Sequence, residues 1–145
     1  MIKGCGRLDA KDFLKQVKIL DVRIENKLIE RQQWHDLALS ITANMSGEVV
    51  QSSGSQSKMA DALNACVDME GEIFREVISL REKKKKVTET IERLDSPTEY
   101  DVLHMRYIQH KSLQDVADKY KKDYGWSTTV HGRALKNVQA LLDAK

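Results

Sequence analysis

The chain is poor in several things at once. Of its 145 residues one is proline, two are cysteine and 6% are aromatic. Proline breaks helix interiors, so its near absence leaves room for long uninterrupted helices. Cys5 and Cys66 lie far apart in the sequence. They fit free thiols in a reducing cytosol and offer no disulfide framework. The four histidines, His35, His104, His110 and His131, are scattered, and none pairs with a cysteine at metal-ligand spacing. No metal and no cofactor is expected. There is no phosphate-binding glycine loop, nucleophile elbow or paired-histidine motif, which argues against an enzyme and against a small-molecule substrate. No apolar run is long enough to span a bilayer and no signal peptide is read, so the expected location is cytoplasmic, with no membrane partner. A net charge of +2 is also small, and excludes a strong general electrostatic attraction for nucleic acid.

What is present is charge and helical period. Charged residues make up 32% of the chain and hydrophobic ones 41%, the profile of long helices with thin apolar seams. From Phe13, the positions Phe13, Val17, Leu20, Ile24, Lys27, Arg31, Trp34, Ala38 and Ile41 alternate by four and three, the spacing of a coiled-coil seam. The same alternation resumes at Met59 and runs through Leu63, Cys66, Glu70, Ile73, Val77, Leu80, Lys84, Val87, Ile91 and Leu94. Between them Asn44 to Ser57 is rich in Ser, Gly and Gln, and reads as a flexible loop. An antiparallel hairpin follows, in a register that sets Arg31 near Glu70 and Trp34 near Cys66. Such a pair adds little net stability but penalises wrong alignments. Residues through Gly6 are expected to fray.

A two-helix hairpin buries one stripe per helix, which leaves Leu28, Ile29, Leu37 and Leu39 available to another surface. The simplest partner is a second copy, giving a homodimer with a four-helix bundle, and the other is a different protein. Lys83 to Lys86 resembles a basic patch, but four successive helical residues point in nearly all directions.

The last third of the chain is denser in signals. Ser96-Pro97-Thr98-Glu99 marks a helix start, with Ser96 as N-cap, Pro97 at the first helical position and Glu99 placed to complete a capping box. That helix runs to about Ile108, and its Leu103 and Tyr107 are placed to pack over Val116 and Ala117. Ser112 is a second N-cap, with Asp115 in the first turn and an apolar stripe of Leu113, Val116, Ala117 and Tyr120. For the final helix Asp123 and Ser127 are both plausible caps. Asp123 is preferred because it places Val130, Ala134, Val138 and Leu141 on one stripe over about five turns. The outer face then carries Tyr124, Thr128, Thr129, Arg133, Lys136 and Asn137. Gly125 and Gly132 cost helix propensity but permit close approach to phosphate. Two short helices across a polar turn, the second with a polar face, form the pattern of a helix-turn-helix.

Tyr100 to Ile108 followed by Ser112-Leu113-Gln114-Asp115-Val116-Ala117 resembles region four of bacterial sigma factors. Trp126 to Leu135 is more similar to small phage regulators of the ArpU and RinA type, associated with late-gene transcription. The resemblance covers about residues 96–142. It implies that Tyr124, Gly125, Thr128 and Thr129 face a DNA groove while Arg133 and Lys136 lie near the backbone. Gly125 and the paired threonines depart from the longer basic or amide side chains usual in sigma-like reading helices.

The expected fold is therefore all-α: an elongated N-terminal antiparallel coiled-coil hairpin over residues 1–94 and a C-terminal three-helix helix-turn-helix domain over 95–145. The hairpin is assigned oligomerisation or partner binding. The expected function is sequence-specific regulation of phage or prophage late genes on double-stranded DNA, as an oligomer or with RNA polymerase. A DNA-packaging or terminase-associated module and a protein-interaction adaptor without direct DNA binding are the alternatives.

Overall fold

The computed structural model describes residues 8–47 and 53–144, and every regular element among them is helical. These are α1 (Ala10–Gly47), α2 (Ser53–Glu92), α3 (Pro97–Leu103) with a π-helical turn at His104–Ile108, α4 (Leu113–Tyr120) and α5 (Tyr124–Asp143). The stretch Asn44 to Ser57, expected as a flexible loop, is helical at both of its ends. Helix α1 continues through Asn44 to Gly47, and α2 already includes Ser53 to Ser57. Polar residues such as Ser and Gln are weak helix breakers, so extension from a long neighbouring helix overrides their local preference. The rest of that stretch, 48–52, and the residues through Gly6 lie outside the described residues.

The chain divides into two compact units, one formed by the residues up to Asp21 together with those from Glu82 onward, the other by Val22–Arg81.

In the Val22–Arg81 unit, every position assigned to a seam is buried or half-buried. Ile24, Ile73 and Val77 form its apolar centre, with Trp34 and Leu80 packed against them. Partners run in opposite chain directions: Lys27 Nζ lies 3.3 Å from Glu76 Oε1, the Arg31 guanidinium sits 5.2 Å from the centre of the Phe74 ring, and His35 Nδ1 is 3.3 Å from Glu70 Oε1. The register expected from the seam is therefore displaced. Glu70 meets His35, one helical turn beyond Arg31, while Arg31 stacks on an aromatic face. A four-three seam repeats itself, so sliding one turn keeps apolar positions opposed, and the polar contacts decide between alignments.

In the other unit the core is larger than three helices. Leu103 and Tyr107 pack with Ala134 and Val138 of α5, and the same cluster includes Ala10, Leu14 and Val17 of α1 and Val87 and Ile91 of α2. A second cluster joins Val102 and Met105 to Val116 and Val130. The pairing of Leu103 and Tyr107 over Val116 is thus corrected, by one position for Leu103 and by two for Tyr107. Val102 and Met105 face Val116, and the neighbouring residues serve the other cluster. The π-helical turn, in which the Gln109 N–H reaches the His104 carbonyl at 3.0 Å, inserts an extra residue and lets Met105 and Tyr107 both be buried. The start of α1 is held by a residue far along the chain. Gln139 Oε1 accepts from the Ala10 N–H at 2.8 Å, and Gln139 Nε2 donates to the Leu8 carbonyl at 2.9 Å.

Candidate nucleic-acid interface

The surface formed by α4, the turn after it and α5 is positioned by local capping. Ser112 Oγ accepts from the Asp115 N–H at 3.0 Å and the Asp115 carboxylate accepts from the Ser112 N–H at 3.1 Å, a reciprocal capping box that starts α4 at Leu113. Those bonds, from the Ser112 backbone first and its hydroxyl second, hold the Asp115 carboxyl below its usual range. Helix α4 ends in a left-handed residue, Lys121, at φ 55°. The Lys122 N–H bonds the Ala117 carbonyl at 2.9 Å and the Lys121 N–H that of Asp118 at 3.2 Å, the double closure typical of a Schellman end. The chain therefore reverses over three residues, and Asp123 Oδ1 accepts from the Trp126 N–H at 2.8 Å to begin α5. Asp123 is the cap, as preferred over Ser127, which is buried and donates to the Tyr124 carbonyl at 2.8 Å.

Helix α4 is tied to α3 by Asp101. Its Oδ2 accepts from Lys119 Nζ at 2.6 Å and from the Tyr120 hydroxyl. Burial alone would raise the Asp101 pKa, but the bonds from Lys119 and Tyr120 outweigh it and lower the value. The Tyr120 hydroxyl is correspondingly pushed up to about 12, by burial first and then by Asp101. Tyr120 also packs on Trp126, with ring centres 5.1 Å apart, closing α4 against α5.

The inner face of α5 buries Ser127, Val130, Ala134 and Val138. Its outer face leaves Gly125, Thr129, Arg133 and Lys136 exposed, with Tyr124 at 52% exposure and Thr128 half-buried. These six residues therefore share the solvent side of one helix, though not equally. Thr128 Oγ1 donates to the Gly125 carbonyl at 2.9 Å, so its hydrogen is engaged within its own helix. A methyl at Gly125 would meet nothing nearer than Asp123 Oδ1 at 3.6 Å, and one at Gly132 would meet open space, so neither glycine is required by packing. Asn137 is exposed as well, as expected, and also donates from Nδ2 to Glu99 Oε1 at 2.6 Å. That bond also corrects the role expected of Glu99: Ser96 Oγ accepts from its N–H at 3.2 Å, while its carboxylate turns to α5.

Long-range partners in this unit carry no local sequence signal. His131 Nε2 and the Tyr107 hydroxyl are 2.9 Å apart, and their rings stack. Burial first, then Arg106 and Lys11, lowers the His131 pKa, while burial raises that of Tyr107. Asp21 of α1 holds Lys84 Nζ at 2.8 Å and His110 Nε2 at 2.7 Å. Burial opposes ionisation there, yet these two partners keep the Asp21 pKa low. One of the four consecutive lysines is thus committed inside the fold. His110, at φ 61°, supplies the left-handed residue before α4. Among the described residues no group of His, Cys, Asp and Glu is arranged to hold a metal, Cys66 is a free buried thiol, and no helix is long and apolar enough to cross a membrane.

Comparison with curated proteins and with solved structures gives no match. A family profile described as a protein of unknown function, DUF1492, matches residues 39–141. The chain belongs to that family, which corresponds to the ArpU/RinA type of phage late-transcription regulator.

Proposed function

We propose that this DUF1492 member is a sequence-specific DNA-binding regulator of phage or prophage late genes, with α4 and α5 as the helix-turn-helix and α5 as its reading helix. The observation that carries the reading is the division of α5 into an inner face held in the core and an outer face of Gly125, Thr129, Arg133 and Lys136 left to solvent. Capped starts at Ser112 and Asp123 fix both helices, so the backbone that carries that outer face is presented without an ordering cost on binding. Tyr124, Gly125, Thr128 and Thr129 face the groove, and Arg133 and Lys136 the backbone. Gly132, with open space beyond it, favours close approach of a phosphate strand.

The Val22–Arg81 unit serves assembly. Ile29, Leu37 and Leu39 are each about half exposed, at 51%, 47% and 57%, apolar side chains outside the seam that suit burial against a second copy of the chain. Two reading helices on adjacent half-sites compensate for the low net charge, with RNA polymerase as a further partner in the cytoplasm.

The test is replacement of Thr128, Thr129 and Arg133 together by Ala. Binding to a selected duplex should fall about 100-fold, toward the level of random duplex, with helicity and oligomeric state unchanged. Arg133→Ala alone should weaken all duplexes alike and lower the salt dependence by about one phosphate contact. Unchanged selectivity in the triple variant would rule out α5 as the reading helix.

A further inference from the structure

Two shallow concavities on the unit that contains α5 share Arg106 and His110. One, of about 270 Å³, is lined by Lys15 and Lys18 of α1 as well as those two residues. The other, of about 370 Å³, continues past Lys111, Ser112 and Gln114 to Tyr124, the first residue of α5. Lys15, Lys18 and Lys111 are exposed, and among the described residues no ion pair involves them or Arg106. Asp21, a turn beyond Lys18 on α1, is already taken by Lys84 and His110. Lys15, Lys18 and Arg106, the last set over the Tyr107 ring, thus line one continuous open surface without an ion-pair partner, and Lys111, which feels the nearby Asp115 carboxylate, extends it to the reading helix.

We infer that this surface carries the phosphate backbone of duplex DNA, and that Lys15 and Lys18 of the N-terminal helix belong to the DNA-binding unit. The inference rests on the DNA-binding reading above. A polymer fits the chemistry better than a small anion, because the cations are spread along a shallow path instead of converging on a closed cavity. Gln114 Nε2 donates one of its two hydrogens to Asp118 Oδ1 at 2.9 Å and keeps the second, an amide donor of the kind that positions a phosphate strand. The footprint also answers the weak net charge: few basic residues suffice when they are aligned and unneutralised.

The experiment measures binding of the full chain to a selected and a random duplex by fluorescence anisotropy between about 50 and 200 mM salt. Lys15→Gln with Lys18→Gln should reduce affinity for both duplexes by the same factor, about ten, and flatten the log–log salt slope by about 1.8. The ratio between the two duplexes should not change, and Lys15→Arg with Lys18→Arg should retain the original slope. Lys58→Gln with Arg75→Gln, which removes the same charge from the Val22–Arg81 unit, should have a smaller effect. If the unaltered chain binds neither duplex, the DNA-binding reading falls and this inference with it. If it binds, but the Lys15 and Lys18 variant keeps its slope or loses no more than the Lys58 and Arg75 control, this inference alone is overturned.

Discussion

Asn137 Nδ2 donates to Glu99 Oε1 at 2.6 Å, joining the middle of α5 to the first turn of α3. Glu99 is only 5% exposed, so this amide is what makes a buried carboxylate tolerable. Asn137→Ala leaves the acceptor without its partner and should destabilise the fold by about 2 kcal/mol in denaturant unfolding. Glu99→Gln retains an acceptor without the charge and should cost less. A change under about 0.5 kcal/mol for Asn137→Ala would mean that water replaces the amide freely.

The pair of Tyr107 and His131 makes stability depend on pH. Burial and the nearby Arg106 and Lys11 lower the folded-state pKa of His131 from its ordinary 6.5, so the unfolded chain binds the proton more readily. The contribution is therefore fully present above about pH 6.5 and is lost as pH falls from there through the folded value. Thermal melts of the protein should decline over that interval, and His131→Gln should flatten this part of the profile. An equal decline in both proteins would assign the acid sensitivity of that interval to groups other than His131, whereas the depressed carboxyls of Asp21 and Asp101 act only below their ordinary 3.8.

Lys121 closes α4 in the left-handed region, at φ 55° and ψ 42°, where a side chain is strained and glycine is not. Lys121→Gly should raise stability by about 1 kcal/mol, seen as a higher melting temperature, because the turn geometry is already set by the bonds to Ala117 and Asp118. A loss of stability would show that the Lys121 side chain contributes more than its backbone strain costs.

Local chemistry was readable from the chain alone. Ser96, Ser112 and Asp123 cap their helices, because a cap needs only a side chain and an N–H within three residues. The seam positions are likewise buried or half-buried, since burial follows helical period. Alignment between helices was not readable: Glu70 meets His35 and not Arg31, and a repeating seam does not distinguish those two choices. The outer face of α5 followed from periodicity for Thr129, Arg133, Lys136 and Asn137, all exposed, but the bond from Asn137 to Glu99 was not readable because its partner lies 38 residues away. The lysines of α1 gave no sign at all, since only tertiary packing brings Lys15 and Lys18 to the same surface as Arg106.

Gln139 holds the opening of α1 through the Leu8 carbonyl and the Ala10 N–H. The contact sets an order of assembly during synthesis. The segment Val22–Arg81 is contiguous and emerges complete, so its contacts can form while the ribosome is still extending the chain. The first turn of α1 emerges before any of it, yet cannot be closed until Gln139 leaves the ribosome. The unit that contains α5 is thus finished last, after the Val22–Arg81 segment has had the remainder of synthesis in which to form its own contacts.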